Sequence, residues 1–182
     1  LETSQPNVWA LGDADGKFMY KHVANYEAEI VYYNPVEGKK IKVDYHAIPH
    51  TVFTYSEIAS VGLKEKEVLE KFQRDELAIG FYKYEDTAKG EAMNAKNYFV
   101  KVIVNLRTNQ ILGARIIGPY ASVLIQEIIN LMYVERRSLN YMLSSMHIHP
   151  SLSEVVHRAF FNLMTVDDYH HFLRHFYEDL KD

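Results

Sequence analysis

His149 and Glu154 are the two side chains in this sequence whose types and spacing suit proton transfer. They lie in MHIHPSLSEVV, residues 146–156, where Pro150 directly follows His149. A proline ring disfavours helical geometry at the residue before it, so His149 is expected to be extended, just outside a helix. A carboxylate bonded to one imidazole nitrogen fixes the tautomer and stabilises the charged ring, leaving the other nitrogen for a proton. The same residues have a plainer use. SLSE, residues 151–154, is a capping box in which Ser151 satisfies the Glu154 amide and Glu154 reaches back to the Ser151 amide. On the residues alone, capping is the stronger use of Glu154. Neither use supplies a nucleophile or an electron carrier.

Zinc chemistry is a second option, because His147 and His149 alternate as on a strand and His170, His171 and His175 follow. The stretch offers no carboxylate at the usual ligand spacing, so no metal site is expected. A third signal is Gly12-Asp13, which ends an apolar run. Ligands gather at strand ends in open α/β sheets, and an aspartate there can accept hydrogen bonds from sugar hydroxyls. Gly-Asp also simply ends strands. Met132, Met142, Met146 and Met164 need no cofactor; they read as core or subunit contact.

The elements that must position these groups follow from periodicity. Val8 to Leu11 reads as a short buried strand, and residues 18–34 as a helix with Phe18, Val23, Tyr26 and Ile30 near one side. Residues 35–46 contain Pro35, Gly38 and several charges, and form a connector. AIPHTVFTYSEIASVGL is strand-like, KEKEVLEKFQ a short helix with Val68 and Phe72 inward, and LAIGFYKY a strand. YFVKVIVNLRTNQILGARIIGP is an antiparallel hairpin around RTNQ. Helical periods follow in residues 120–137, through Leu124, Ile128 and Leu131, and in 154–164, through Val156, Ala159, Phe160 and Leu163. The tail, with Phe172, Phe176 and Leu180 on one side, is a further amphipathic helix. The fold class is therefore α+β: an antiparallel sheet with helices packed on it, after a strand-helix stump of α/β structure.

Composition narrows the function. Of 182 residues 48% are hydrophobic and 13% aromatic, enough for a sizeable core. A formal charge of −4 leaves no footprint for nucleic acid or anionic lipid as partner. No stretch approaches the roughly 20 apolar residues of a membrane span, and no secretory signal opens the chain, so a cytoplasmic location is expected. The absence of cysteine excludes disulfides, thiolate metal sites and a cysteine nucleophile within this chain.

The order of these motifs resembles the C-terminal part of the pyridine nucleotide-disulfide oxidoreductases. VWALGDADGKFMYKHVANYEA looks like the end of their FAD domain, and VDYHAIPHTVFTYSEIASVGL like the start of their dimerisation domain. NQILGARIIGP matches that domain's hairpin and HIHPSLSE its His-Pro-to-Glu signature, in the form most like dihydrolipoamide dehydrogenase. The resemblance divides the chain into an FAD-domain remnant at 1–38, a dimerisation domain at 45–164 and a C-terminal extension at 165–182. Departures are Ser56 where proline is usual, Ser151 for a common threonine, Lys21 for a small residue, and the extension itself.

The resemblance, rather than the spacing, implies roles. His149 would serve a dithiol as acid and base and Glu154 would orient it. Asp13 would hold the FAD ribityl chain, and the backbone of Met19, Tyr20, Lys21 and His22 would lie near the flavin at a helix start, whose partial positive charge suits a reduced, anionic ring. FAD and NAD(P) are the implied cofactors, with most of both sites outside this chain. The implied partners are a second copy, making a homodimer, and a dithiol or disulfide, either a small molecule or a lipoyl domain of a 2-oxoacid dehydrogenase complex. Glutathione-type and mycothione-type disulfide reductases are the alternatives. The chain by itself is expected to be inactive, a self-association module whose extension packs against the partner subunit or forms a flap.

Overall fold

The computed structural model describes residues 1–134 and 138–179, with the backbone alone for 177–179. The chain divides into two compact units, Leu1–Ile48 and Pro49–Asp182. No helix among the described residues is long and apolar enough to cross a membrane.

In the first unit the expected strand at Val8–Leu11 does not form. Trp9 makes one isolated antiparallel bridge to Glu2, and Val8 is exposed. A strand of the interior kind needs neighbours to take its backbone groups, and among the described residues this unit provides no other strand. A 3-10 turn, Gly12–Asp15, follows, with Gly12 at φ 62°. Helix α1, Lys21–Tyr33, starts three residues later than the pattern suggested, because Tyr20 is extended. Its buried stripe is Val23, Glu27 and Ile30, with Glu27 in the place expected for Tyr26. Helical spacing of four and three puts Glu27 on that stripe. Its carboxylate is satisfied there by the Gly12 amide at 2.6 Å and the Tyr45 hydroxyl at 2.5 Å.

The second unit is built on an antiparallel sheet. Its strands in chain order are β1 (His50–Val52), β2 (Glu57–Gly62), β3 (Leu77–Lys83), β4 (Phe99–Asn105), β5 (Gln110–Gly118) and β6 (Leu163–Thr165), arranged β1-β2-β5-β4-β3-β6. The hairpin read around RTNQ is the β4–β5 pair, with Val100 opposite Ile116 and Val102 opposite Ala114. The helices are α2 (Glu65–Lys71), α3 (Ala88–Ala92), α4 (Ala121–Tyr133), α5 (Leu139–Ser144), α6 (Ser153–Phe161) and α7 (Val166–Asp179). In α4 the buried stripe is Ile125, Ile128, Ile129 and Met132, so Leu124 and Leu131 lie on its borders; residues 135–137, read as the helix end, fall outside the described residues. Met142 is also core, whereas Met146 is fully exposed.

Leu77 to Phe81 are all buried, because helices cover both faces of β3. Leu77, Ile79 and Phe81 face α2 and α7, joining Val68, Val166, Tyr169 and Phe176 in one cluster. Two expectations change here. Helix α6 stops at Phe161, and Leu163 enters β6 opposite Gly80. The Asn162 side-chain amide donates to the Phe81 carbonyl at 2.8 Å, which ends the helix at the sheet edge. The aromatic face of α7 turns onto its own sheet instead of outward to a partner: Phe172 and Phe176 lie 5.1 and 5.4 Å from the Phe81 ring. Leu180 lies outside the described residues.

On the other face α6 crosses β3 at Gly80. A Cβ there would sit 2.0 Å from the Ala159 carbonyl oxygen and 2.7 Å from Val102 Cγ2. The first contact is backbone and cannot rotate away. Gly80→Ala is expected to push α6 off the sheet and lower stability by at least about 1–3 kcal/mol, read as a reduced urea midpoint.

Candidate active site

Between α5 and α6 the chain runs extended through Met146, His147, Ile148 and His149, and the His149–Pro150 peptide is cis. Side chains alternate along this run as in a strand. Met146 and Ile148 are almost wholly exposed, while the His147 ring is 6% exposed. His149 sits just outside α6, and its ring is 67% exposed, so a reactant can reach it from outside the chain.

His149 Nδ1 lies 2.9 and 3.1 Å from the two oxygens of Glu154, on the first turn of α6. The same carboxylate accepts the Ser151 amide at 3.2 Å. Half of the expected capping box therefore forms. The Ser151 hydroxyl makes no cap; it donates to the Ile148 carbonyl at 2.6 Å and pairs with Ser153. Capping and imidazole orientation thus coexist on one carboxylate. The hydrogen bond with His149 is the largest influence on Glu154 and holds its carboxyl below the usual carboxylate range, with burial opposing. An ionised Glu154 keeps the proton on Nδ1 and leaves Nε2 for exchange.

His147 takes another carboxylate. Its Nε2 is 2.6 Å from Glu127 of α4, and its ring stacks on His157 of α6 at 4.0 Å and 19°. Burial, then the neighbouring His147, pushes the His157 imidazole below its ordinary value. The tail histidines are separate: His170 bonds Glu65, which also binds Lys101, and His171 packs edge-on to His175. Among the described residues no group of three or more potential ligands gathers.

Asp13 and the segment Met19 to His22 belong to the first unit. Asp13 is exposed on the 3-10 turn, after the Gly12 amide that Glu27 pins. Met19 is exposed, Tyr20 stacks on His22 at 5.4 Å, and α1 starts at Lys21 without a side-chain cap or an acid in its first turn. An exposed carboxylate on the turn and an uncapped positive helix end suit, respectively, sugar hydroxyls and an anionic ring. Reading the sequence for function missed Glu27, Glu127 and His157. The available signals were acids inside apolar helical runs, Glu27 four residues after Val23 and Glu127 within LIQEIINLM.

Residues 48–160 match the family model described as the pyridine nucleotide-disulphide oxidoreductase dimerisation domain. Dihydrolipoyl dehydrogenase of Chlamydia trachomatis is 36% identical over 155 residues, covering 85% of this chain and 32% of that protein. Mycothione reductase of Mycobacterium tuberculosis is 36% identical over 166 residues, covering 88% of this chain and 36% of that protein. The chain spans about a third of the length of these curated relatives. The HOCl-induced flavoprotein disulfide reductase RclA from Escherichia coli has the same fold, with TM-score 0.79 at 22% identity over 88% of this chain and 36% of that one. So does LpdA from M. tuberculosis, with TM-score 0.74 at 24% identity over 84% of this chain and 32% of that one.

The His149–Glu154 contact has a titration consequence. A carboxyl depressed by folding contributes stability above its unfolded pKa, and that stability is lost as pH falls through the folded value. In His149→Ala, Glu154 should titrate closer to the ordinary carboxylate range, and acid should cost the variant less stability than the parent. A 13C titration of glutamate-labelled protein checks the first statement; an unmoved Glu154 would contradict it.

Proposed function

Because this chain belongs to the pyridine nucleotide-disulphide oxidoreductases, carrying their dimerisation domain, we propose that it completes the active site of a dimeric FAD-dependent enzyme that oxidises a dithiol. The first choice of substrate is dihydrolipoamide, free or on the lipoyl domain of a 2-oxoacid dehydrogenase complex, with NAD(P) as acceptor. The name of the Chlamydia relative supports that choice. Mycothione reduction is the second reading, favoured by an equal identity to the mycobacterial enzyme. On this proposal residues 1–38 are the end of an FAD domain, 45–164 the dimerisation domain and 165–182 an extension.

One observation carries the reading: an exposed imidazole held at Nδ1 by both oxygens of an acid that is itself fixed to a helix start. His149 Nε2 takes the proton from one substrate thiol. The resulting thiolate attacks one sulfur of a protein disulfide, and the other sulfur leaves as a thiolate. The His149 imidazolium returns its proton to the released protein sulfur, and the neutral ring takes that of the second substrate thiol. The new thiolate attacks the first substrate sulfur and displaces the first protein sulfur as a thiolate, giving substrate disulfide and reduced protein. Glu154 remains ionised throughout and stabilises the imidazolium that His149 becomes. When bound, FAD would supply the two-electron chemistry that links the reduced protein pair to the nicotinamide. Asp13 would accept hydrogen bonds from its ribityl hydroxyls, and the amides at Met19 to His22 would face its ring.

This chain has no cysteine, so the disulfide must come from the remainder of a longer polypeptide, expected as a Cys-x4-Cys pair. Met146 and Ile148, nearly fully exposed beside His149, suit cover by a second subunit. In the full-length enzyme His149→Ala is expected to retain flavin and lose turnover by roughly a hundredfold or more, and Glu154→Gln to lose less. Turnover with dihydrolipoamide and NAD, compared with mycothione and glutathione disulfide plus NADPH, selects the substrate. Near-normal turnover in His149→Ala removes the assignment.

A further inference from the structure

We propose that Glu127 and His147 are a positioning pair that holds the His149 loop, with His157 as the platform beneath it. The proposal rests on the function assigned above to His149. From Ser144 to Pro150 every residue is exposed except His147. The Met146 and Ile148 side chains project outward on either side of it, and the Ile148 carbonyl is held only locally, by the Ser151 hydroxyl. Besides hydrogen bonds at its two ends, from Ser145 to Met142, from Ser151 to Ile148 and between His149 and Glu154, this buried side chain is what ties the segment to the body of the fold.

The His147 imidazole makes two contacts that no aliphatic residue could combine. Edge-on, its Nε2 meets the Glu127 carboxylate of α4 at 2.6 Å. Face-on, it lies 4.0 Å from the His157 ring of α6, nearly parallel at 19°. The His157 ring is in turn fixed by Phe161, one turn later on the same helix, at 4.8 Å. A hydrogen bond to a carboxylate fixes rotation about the ring, and the stack fixes its height above α6.

Helix α6 supplies both the platform and the orienting acid. Glu154 and His157 are three residues apart, so they share a helix face. The height of His147 above His157 therefore sets the height of His149, two residues on, above Glu154. Loss of the clamp leaves His149 present and chemically unchanged but held less often within 3 Å of its acid. Two imidazolium ions stacked this closely would repel; burial and the neighbouring His147 lower the His157 pKa, which favours its neutral form. His147 Nδ1 and His157 Nε2 have no hydrogen-bond partner among the described residues, so Glu127 is the polar tether of the stack.

A double-mutant cycle in the full-length, flavin-loaded enzyme separates positioning from general structural support. Glu127 is a third exposed, so its replacement leaves the core in place. His147→Ala and Glu127→Ala are expected to lower kcat roughly tenfold or more, with KM for dihydrolipoamide within about twofold, and with dimer mass and flavin content retained. Glu127→Gln keeps an acceptor oxygen and should recover most of the loss. In the His149→Ala background, His147→Ala should cost nothing further, because the group it positions is gone. Equal losses in both backgrounds, or unchanged kcat in Glu127→Ala and His147→Ala, overturn the positioning role. Full turnover in His149→Ala alone removes the proposed function, and the positioning role with it.

Discussion

One carboxylate at the start of α6 sets the local architecture. Glu154 takes the Ser151 amide and the His149 ring together, so the helix start and the candidate reactive group share an anchor. The anchor is only as well placed as α6 itself. That helix lies against β3 where Gly80 has no side chain, close enough that even a methyl group would overlap the Ala159 carbonyl. Packing at the far end of the helix thereby fixes the geometry of exposed chemistry at its beginning.

The same device recurs. Glu57 of β2 accepts the Ser122 amide at the start of α4, Glu85 accepts the Asn97 amide, and Glu27 accepts that of Gly12. Each acid sits on or beside a regular element and holds a backbone N–H far away in sequence. A carboxylate can take several donors and is strongest when charged, which suits the task of pinning irregular backbone. For Glu27 the cost of burial is met by two donors, and burial together with that carboxylate pushes the Tyr45 hydroxyl upward.

The three histidines around α6 show how environment divides like residues. His149 is solvent-facing with an acid on one nitrogen; His147 is nearly sealed with an acid on another; His157 is packed between rings. Only the first combines access with a defined tautomer. The surface next to it is apolar, through Met146 and Ile148, which matches a domain whose family description is dimerisation.

The residues by themselves determined the β4–β5 hairpin, the helical periods and the helix start after Pro150, because each depends on neighbours within a few positions. They offered the pairing of His149 with Glu154 only as the alternative to a cap, and the structure shows both on one carboxylate. The short spacing from Pro150 to Glu154 carries both the helix start and its acid. Tertiary structure decided the rest. Val8 to Leu11 has strand composition but too few partners among the described residues of its unit, and Leu163 has helical spacing but lies where β3 has an open edge. Phe172 and Phe176 turned inward because Phe81 offered an aromatic face on the same sheet. Glu127 and His157 are twenty and ten residues from His147, and no local pattern links them. Local periodicity records which side of an element is apolar; which element it meets is settled only when the chain closes on itself.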